Sequence, residues 1–512
     1  MKQTSGTTLP GQLAKRTAWL IAAKVIGMAL NFLLPILLVR KLTQSEYGTY
    51  KQAFQIMATS LSLLGLQVSG SIYYFFPREP RRKAQVAMNA TIFYLAIGAI
   101  VALGFASHPG WIMIIFKNND LASAMPLLGL AIMLHLVASN FDGVMIADGD
   151  IRLASAMTVL LNVSKTVLLL AAAFWRGDIR SLMSAAVFFG LAHCATYFVY
   201  LRRRFGRFWS PIDWALFKAQ LSNALPYGMG GLVLILQLDL HYYFVSHYFE
   251  AAKFAIYSVG SFQLPLLLVL LDSVDTILIP EVTRLEKDGK YPEIIEVWMG
   301  GIRLVAFCFV PACVLMFVMR NEFIAALFTK NYLAAAPIFA ISLCNLLLSM
   351  NLTGPVLRAF AEFRFYRLRL YLVLLPLTWV ALMAGIRVGG LAGVMAAVVL
   401  MRMIDVMVTT TLIGHKLGMS RRDFRYLVPL LRTAAAAAVA AMVVLGVKRT
   451  TQHWPPLMAF LICSAIFGLI YLVAAFVVGA VTDAERAALK RSLSKFLRPR
   501  PLGVELSSTH EV

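Results

Sequence analysis

The sequence predicts an all-α polytopic membrane protein with about fourteen transmembrane helices, arranged as two six-helix lobes in parallel repeat plus two C-terminal helices. Three observations predict this fold. The 512 residues are 60% hydrophobic and only 14% charged, with a mean hydropathy of +0.76, whereas soluble proteins average about 45–50% apolar and about 25% charged residues. Apolar segments long enough to cross a bilayer recur along the chain. The two halves of the sequence also resemble each other.

The apolar segments are predicted to be helices. Lipid offers no hydrogen-bond partners to an exposed backbone, and the segments lack the alternation that is typical of barrel strands. A helix needs about 20 residues to cross the membrane. The predicted spans are residues 17–39, 52–76, 84–106, 123–147, 153–175, 181–201, 222–247, 255–279, 297–319, 334–357, 370–386, 390–414, 427–447 and 456–480.

The distribution of basic residues predicts the orientation. Most of the 47 Lys and Arg residues, including clusters at 78–83, 202–204 and 421–425, fall on one side of the membrane if the N-terminus is cytoplasmic. The positive-inside rule assigns that side to the cytoplasm, so both termini are expected there. The formal net charge of +22 then reflects topology and attraction to anionic lipid, and no nucleic-acid partner is expected.

The spans and loops predict five regions along the chain. They are an N-terminal six-helix lobe over 1–201, a cytoplasmic amphipathic linker over 202–221, a C-terminal six-helix lobe over 222–426, two additional transmembrane helices over 427–480 and a cytoplasmic basic tail over 481–512.

Two loop segments are predicted to be helices that lie in the inner membrane interface. Residues 210–221 begin with Ser210 as a helix cap and Pro211 at the first helical position. Residues 482–497 place apolar side chains at helical spacing, opposite basic ones. The last dozen residues are expected to be disordered.

The internal repeat is clearest in spans four and ten. In each, an Asn follows a Pro by 14 residues and a Gly follows it by 17. These residues are Pro126, Asn140 and Gly143 in the first copy and Pro337, Asn351 and Gly354 in the second. Leu and Ala match easily between apolar helices, whereas Pro, Asn and Gly in register do not. Because six spans is an even number, duplication predicts two lobes of the same orientation about an axis along the membrane normal.

The segment LVRKLTQSEYGTY, residues 38–50, joins the first two spans. Arg40 ends span one, where a long side chain can extend to the outer interface. Tyr47 and Tyr50 suit the aromatic belt of the membrane surface, and Gly48 permits the turn that returns the chain. The segment is therefore expected to be a hairpin tip that anchors span one.

The same segment resembles a known family. Arg40, Leu42, Tyr47, Gly48 and Tyr50, followed by LGLQVSGSIYYFFPRE, resemble the start of polysaccharide transporters, the Wzx-type oligosaccharide flippases of the multidrug/oligosaccharidyl-lipid/polysaccharide exporter superfamily. Thr43 and Gln44 depart from the Gly-Pro that is usual in this family. The second half is similar in FEAAKFAIYSVG and in LFTKNYLAAAP.

The resemblance implies a flippase of the bacterial inner membrane. Its substrate would be an undecaprenyl-pyrophosphate-linked oligosaccharide, moved from the cytoplasmic to the periplasmic leaflet by alternating access of two lobes. Membrane lipids are expected partners, and polysaccharide polymerase and export machinery are further ones. No cofactor is implied. A lipid II-type flippase and an ion-coupled multidrug exporter of the same superfamily remain alternatives.

An enzyme is not expected. The sequence contains no GxxxxGK[ST] motif for ATP hydrolysis, and the longest outer loop, residues 107–122, carries no cluster of His, Glu or Asp that a polymerase or ligase would need. The five cysteines lie inside apolar runs without a CxxC pair, so no metal site is expected either.

Charged residues inside the spans are the candidate functional residues, because a charge at the bilayer centre costs about 2.5–3.5 kcal/mol and usually faces the bundle interior. Lys165 and Lys24 have no acidic partner at comparable depth in the first lobe and are predicted to bind the pyrophosphate. The alternative is a lysine that extends to the interface or pairs across the lobes. Asp239 is predicted to couple transport to H⁺ or Na⁺, with a hydrogen-bonded structural role as the alternative.

Other charges inside the spans suggest ion pairs. Asp272 and Asp275 share a helix face at the depth of Arg303 on the next span. Their interaction is predicted to be an ion pair, with a cytoplasmic gate as a second hypothesis. Arg402 and Asp405 are one turn apart and are predicted to neutralise each other.

Helix-breaking residues predict hinges in the first helix of each lobe. Span one contains Pro35, and span seven contains Pro226, Gly228 and Gly230. Such residues free backbone groups and permit bending, so both helices are expected to bend during the transport cycle.

Overall fold

The structure is a computed structural model that describes residues 9–206, 208–209, 212–420, 423, 425, 428–451 and 453–480, apart from the side chains at 9–18, 111–112, 226–227 and 230. The helix expected at 482–497 and the disordered last dozen residues lie outside the described residues.

The described residues form twenty α-helices and two 3-10 helices, with no strand among them. The helices are α1 (Leu9–Lys41), α2 (Gln44–Leu64), α3 (Val68–Arg78), α4 (Lys83–Ser107), α5 (Gly110–Phe116), α6 (Asn119–Ser123), α7 (Met125–Ala138), α8 (Asn140–Ala147), α9 (Ile151–Trp175), α10 (Ile179–Phe205), α11 (Trp214–Tyr248), α12 (Ala251–Gly260), α13 (Pro265–Lys287), α14 (Tyr291–Val318), α15 (Arg320–Phe328), η1 (Lys330–Ala335), α16 (Ala336–Ser349), α17 (Thr353–Ala359), η2 (Ala361–Phe363), α18 (Tyr366–Leu417), α19 (Val428–Thr450) and α20 (Pro456–Val477).

The prediction of an all-α polytopic membrane protein is confirmed. Within the described ranges, ten helical segments are long and apolar enough to cross a membrane, or twelve if each of two bent helix pairs is one span. Helix α11 is not among them, and the predicted spans 370–386 and 390–414 fall in one counted segment, Ala361–Leu417. The number fourteen therefore stays a prediction.

Helix α18 is a helical hairpin. Gly390 interrupts it with φ 54° and ψ −132°, a backbone conformation that glycine adopts without steric cost. A Cβ atom placed on Gly385 would lie 2.4 Å from the carbonyl oxygen of Gly393, although residues eight apart in a straight helix are separated by about 12 Å. The chain therefore reverses at Gly390, between the two predicted spans.

Helix α11 joins the predicted linker helix and span seven into one continuous helix. Asp213 caps it, since its carboxylate accepts hydrogen bonds from the backbone N–H groups of Ala215 and Leu216, each at 3.1 Å. Arg82 also contacts this carboxylate at 3.3 Å. The helix predicted over 210–221 is confirmed from Trp214 onward and continues into span seven without a break, while Ser210 and Pro211 lie outside the described residues. The cap at Asp213 satisfies the free N–H groups at the start of α11.

The marked bends lie in the second span of each half. Helices α2 and α3 differ in direction by 42°, and α12 and α13 by 52°. At the first break, Leu66 and Gln67 have φ values of 43° and 57°, a left-handed conformation that is costly for residues other than glycine. The surrounding packing must therefore stabilise this break.

The predicted hinge residues lie within continuous helices in this structure. Helix α1 passes through Pro35, and α11 passes through the positions of Pro226, Gly228 and Gly230. Gly228 packs closely, since a Cβ atom there would lie 2.6 Å from the carbonyl oxygen of Leu66. The side-chain environments of Pro226 and Gly230 are outside the described part. Bending of α1 and α11 during transport stays a prediction.

The division into two lobes also stays a prediction, and the packing supports it. In the first half, α4 packs on α7, α1 packs on α9, and α10 packs on both α7 and α9. In the second half, α11 and α16 pack on α18, and α13 packs on α14 and α17. Helices α19 and α20 pack on each other and on α14 and α15. One buried cluster, around Phe141, extends from the first half to Phe339 of the second, and another, around Trp298, lies within the second half.

Spans four and ten are broken at corresponding points of the repeat. Helix α7 ends at Ala138, just before Asn140, and α16 ends at Ser349, just before Asn351. The Asn140 side chain is fully buried, while the Asn351 amide donates to the Thr410 hydroxyl at 2.5 Å. The shared break is what duplication of a six-helix unit predicts.

The turn between α1 and α2 is made by Thr43 and Glu46. The Thr43 hydroxyl accepts from the Glu46 backbone N–H at 3.3 Å, and the Glu46 carboxylate accepts from the Thr43 backbone N–H at 2.8 Å. This reciprocal capping satisfies two N–H groups at the start of α2. The prediction that Gly48 makes this turn is wrong, because Gly48 lies inside α2.

Tyr47, Gly48 and Tyr50 lie in a helix contact and not at the membrane surface. Tyr47 is 1% exposed and Tyr50 4% exposed, so the prediction of an aromatic belt is wrong for both. A Cβ atom on Gly48 would lie 1.8 Å from the carbonyl oxygen of Ala251, at the start of α12. The motif faces inward because α2 packs on α12, which is a contact between the two halves that the linear sequence does not show.

We expect Gly48→Ala to destabilise the protein by about 1–3 kcal/mol, because its methyl group would force α2 and α12 apart. The measurement is the thermal unfolding midpoint in detergent. Gly104→Ala on α4 is the matched control, since no atom lies within 4 Å of a Cβ at that position. Equal midpoints for the two variants would contradict close packing at Gly48.

Candidate functional site

A polar cavity of about 240 Å³ lies in the first half of the chain. We call it the first-half cavity. It is lined by Leu61, His135, Leu136, Ser139, Asp142, Thr158, Leu161, Asn162, Lys165, Phe189 and His193. These residues come from α2, α7, α8, α9 and α10, and from the break between α7 and α8.

Lys165 is held by hydrogen bonds between α1 and α9. Its ammonium group donates to Asn31 Oδ1 at 2.6 Å. The Asn31 amide in turn donates to the Gly27 carbonyl at 2.8 Å and to Asn162 Oδ1 at 3.2 Å. An ammonium group has three donors, and among the described residues no carboxylate pairs with this one. Two N–H donors therefore remain for an anion.

Two histidines, which sequence reasoning missed, share the first-half cavity with Lys165. His135 donates through Nδ1 to the Ala131 carbonyl at 2.7 Å. His193 Nε2 is buried and has no hydrogen-bond partner among the described residues. An unpaired buried nitrogen is costly, and a bound ligand could satisfy it. Each histidine stands alone in an apolar helix, so no sequence spacing connects it to Lys165.

Lys24 has an acidic neighbour in the first half. It is exposed on α1 and interacts electrostatically with Asp142 of α8, which lines the first-half cavity. The prediction that Lys24 lacks an acidic partner in this lobe is therefore wrong. Lys24 and Asp142 are far apart in sequence, so only the tertiary structure shows that they interact. Lys24 itself is not part of the cavity lining.

Asp239 lines a larger cavity of about 470 Å³ in the second half. We call it the second-half cavity. It is lined by Leu234, Gln237, Leu238, Asp239, His241, Tyr242, Gln263, Asn345, Ser349, Arg367, Tyr371, Leu374, Thr378, Val398, Met401, Arg402 and Asp405.

Asp239 is hydrogen-bonded across the two halves. Thr59 of α2 donates its hydroxyl proton to Asp239 Oδ2 at 2.5 Å, and the Gln55 amide donates to the Thr59 hydroxyl oxygen at 3.2 Å. The structural alternative therefore has a physical basis. The coupling role of Asp239 stays a prediction.

Asp275 has basic neighbours other than the one the sequence suggested. Arg358 of α17 and Arg367 of α18 interact electrostatically with it, as does Asp272. The ion pair of Asp272 and Asp275 with Arg303 stays a prediction. One Asp275 oxygen, Oδ1, is buried without a hydrogen-bond partner among the described residues. Arg367 was missed because it lies just before the predicted span 370–386 and therefore does not count as a charge inside a span. The gate hypothesis stays a prediction.

Arg402 and Asp405 form the predicted ion pair. Arg402 Nη1 lies 2.7 Å from Asp405 Oδ2, and the Thr409 hydroxyl donates to Asp405 Oδ1 at 3.3 Å. The prediction of mutual neutralisation is confirmed.

The two halves meet at the end of α1 and the start of α2, on the side predicted to face outward. Arg40 Nη2 donates to the Ala326 carbonyl at 2.6 Å, and the Gln44 amide donates to the Asn331 carbonyl at 2.6 Å. The Tyr47 ring meets the Tyr332 ring edge to face, with centroids 6.0 Å apart. We call these three pairs the closure contact.

The closure contact also contains an unsatisfied group. The Tyr332 hydroxyl is buried without a hydrogen-bond partner in the described part of the chain. A buried hydroxyl without a partner costs about 1–3 kcal/mol. Opening of the contact would expose this group to water and recover that free energy.

The fold, with polar cavities inside a bundle of apolar helices, is that of transporters of the MOP superfamily. The lipid II flippase MurJ in an inward closed conformation is similar with a TM-score of 0.63 and 13% identity, covering 92% of this chain and 100% of that chain. An inward-facing MATE-family multidrug resistance transporter has a TM-score of 0.61 and 15% identity, covering 78% and 98%. A MOP superfamily transporter from Pyrococcus furiosus has a TM-score of 0.53 and 15% identity, covering 81% and 99%.

The chain belongs to the polysaccharide biosynthesis protein family, whose model matches residues 37–337, more than half of the 512 residues. No curated protein matches it in sequence. The fold is that of transporters and flippases, and the protein is a multi-pass membrane protein. The resemblance to polysaccharide transporters is thereby confirmed.

Proposed function

We propose that this protein flips an undecaprenyl-pyrophosphate-linked oligosaccharide from the cytoplasmic to the periplasmic leaflet of the bacterial inner membrane, with both termini in the cytoplasm. The proposal rests on Lys165. This cation lies inside an apolar bundle, and no carboxylate among the described residues pairs with it. A pyrophosphate offers the strong charge-assisted hydrogen bonds that such an ammonium group needs. The hydrogen bond to Asn31 orients the ammonium group. His193 Nε2 is a second polar group in the cavity, without a hydrogen-bond partner among the described residues.

Alternating access is supported by the closure contact and the bent spans. The contact joins the halves through two side chain to carbonyl hydrogen bonds and one aromatic pair. Tyr47 and Tyr332 also belong to a buried cluster that spans both halves, so the proposed opening separates part of that cluster. The bend between α2 and α3 lies at the far end of the helix that carries Gln44 and Tyr47, and α12 and α13 are bent at the corresponding point of the second half. In the proposed cycle the closure contact is the outer gate. Polymerase and export machinery are the proposed downstream partners.

A lipid II-type flippase is the second candidate. The specific observation in its favour is that the likeness to MurJ extends over 92% of this chain, against 78% for the multidrug transporter. A multidrug exporter of organic cations fits the first-half cavity less well, because the Lys165 ammonium group, which has no carboxylate partner among the described residues, would repel a cation.

The deciding experiment uses proteoliposomes that contain the purified protein and a labelled undecaprenyl-pyrophosphate oligosaccharide. An impermeant glycosidase added outside reports how much sugar reaches that leaflet. We expect faster exposure than in protein-free liposomes. Movement of lipid II instead would select the second candidate, and export of an organic cation with neither lipid moving would contradict the proposal.

If Asp239 is the coupling site, Asp239→Asn should abolish the response of transport to an imposed H⁺ or Na⁺ gradient. The asparagine carbonyl still accepts the Thr59 hydrogen bond, so the variant removes charge while keeping the contact. The readout is the ratio of rates with and without the gradient, expected to fall to about one. Asp120→Asn, at an exposed position on α6, is the control. A gradient response that survives in Asp239→Asn assigns a structural role to this residue.

A further inference from the structure

The second-half cavity differs in chemistry from the first-half cavity. Its lining carries two arginines and two carboxylates. Arg402 pairs with Asp405 at 2.7 Å, Arg367 interacts with Asp275, and Asp239 accepts a hydrogen bond from the Thr59 hydroxyl at 2.5 Å. No surplus cation is left for a phosphate group. A cavity of about 470 Å³ nevertheless falls in the range of about 300–1,000 Å³ that is typical of ligand sites.

Several side-chain amides of this cavity have hydrogen-bonding groups without a partner. The side chains of Asn345 and Gln263 make no hydrogen bond among the described residues, and Gln237 Oε1 is buried without a partner. An amide offers donors and acceptors together. A ligand that satisfies all three must therefore both donate and accept, as a hydroxyl-rich molecule does.

The cavity also has a second recess and apolar walls. A recess of about 80 Å³ shares Gln263, Asn345 and Ser349 with it. Tyr242 and Tyr371 provide aromatic rings, and Leu234, Leu374 and Val398 provide apolar surface. Sugar rings carry hydroxyl groups around their edges and C–H groups on their faces. The hydroxyl groups could bond to the amides of the cavity, and the C–H faces could pack on its aromatic rings and apolar side chains.

The two cavities lie beside the same helix. Leu61 of α2 lines the first-half cavity, while Thr59 of α2 holds Asp239 in the second. Residues two apart point to different sides of a helix, so α2 separates the cavities by about one helix diameter, roughly 10–12 Å. One extended head group could therefore contact both.

We propose that the second-half cavity binds the sugar part of the lipid-linked oligosaccharide, while the first-half cavity binds its pyrophosphate. This inference rests on the proposed function. It assigns sugar recognition to uncharged amides of α16 and of the segment before α13, and it predicts that the two parts of the substrate are recognised by different halves of the protein.

The test compares two substrates in proteoliposomes: an undecaprenyl-pyrophosphate oligosaccharide and undecaprenyl-pyrophosphate carrying a single sugar. We expect the double variant Asn345→Ala/Gln263→Ala to slow transport of the oligosaccharide lipid about tenfold, from two lost neutral hydrogen bonds, and that of the single-sugar lipid less than twofold. Lys165→Ala should slow both equally. Asn321→Ala, which removes an exposed amide of α15, is the control.

A second measurement does not depend on transport. Binding of the free oligosaccharide, released from its lipid and lacking pyrophosphate, is followed in detergent by thermophoresis. Wild type and Lys165→Ala should bind it, and the double variant should not. Equal effects of the double variant on both lipids, or none on either, would overturn the sugar site. A wild type that moves neither lipid would instead overturn the proposed function.

Discussion

Replacing Lys165 by alanine is expected to slow transport of the lipid-linked oligosaccharide about 10- to 100-fold. A hydrogen bond to a charged group contributes about 1.5–3 kcal/mol, and each 1.4 kcal/mol is a factor of ten. The Lys165 ammonium group donates to Asn31 Oδ1 at 2.6 Å and has two further donors for the substrate. Removing it takes the positive charge from the first-half cavity while the neighbouring Asp142 stays.

Three variants separate charge from packing at this position. Lys165→Met keeps the apolar stem and should be as slow as Lys165→Ala, whereas Lys165→Arg keeps the charge and should retain part of the activity. Lys253→Ala removes an exposed lysine of α12 and should transport like the wild type. Thermal unfolding of each variant reports whether the fold is intact. Normal transport by a folded Lys165→Ala would exclude this lysine as the pyrophosphate site.

Cross-linking the closure contact is expected to stop transport completely. The Gln44 amide reaches the Asn331 carbonyl at 2.6 Å across the two halves. A short, reducible bis-thiosulfonate reagent should therefore bridge Gln44→Cys and Asn331→Cys. If the halves must separate here in each cycle, the bridge holds the transporter in one state. Transport should fall to the rate of protein-free liposomes and return when the bridge is reduced.

The cross-linking experiment needs a cysteine-free background and a bridge within one half. The natural cysteines are Cys194, Cys308, Cys313, Cys344 and Cys463. The control pair is Ser123→Cys with Arg180→Cys, because the Arg180 guanidinium donates to the Ser123 hydroxyl at 3.2 Å inside the first half. That bridge should leave transport unchanged. Full transport with Gln44 and Asn331 bridged would show that the closure contact is not a gate.

The helices were predictable because their cause is local. Lipid requires every span to satisfy its own backbone, so apolar runs of about 20 residues mark helices wherever they fall. Predicted limits such as 84–106 and 153–175 lie within two residues of α4 (Lys83–Ser107) and α9 (Ile151–Trp175). The reversal at Gly390 falls at the boundary between the predicted spans 370–386 and 390–414.

Sequence reasoning failed where one helix meets another. The hairpin motif was assigned to the membrane surface because tyrosine and arginine are common there, yet Tyr47 and Tyr50 are buried and Arg40 bonds to the Ala326 carbonyl. The Thr43–Glu46 capping box is a sequence signal that could have placed the start of α2 and so removed Gly48 from the turn.

The candidate site was predictable only in part. Lys165 stood out because a charge is rare in an apolar run. Its partner Asn31 and its neighbours His135 and His193 did not, because uncharged polar residues in apolar helices have no distinctive spacing. Asp142 was missed for a similar reason, since it lies just after a helix break that the hydropathy pattern did not show.

The sequence by itself determined the class of this protein, its helices and the buried charge at Lys165, because membrane solvation acts on each segment separately. Only the tertiary structure decided that Lys165 bonds to Asn31, that Asp275 lies near Arg358 and Arg367, and that the motif around Tyr47 joins the two halves. The physical reason is that these contacts depend on helix rotation and on pairs far apart in the chain. Many arrangements of the same apolar helices satisfy the lipid equally well, and close packing between specific side chains selects one of them.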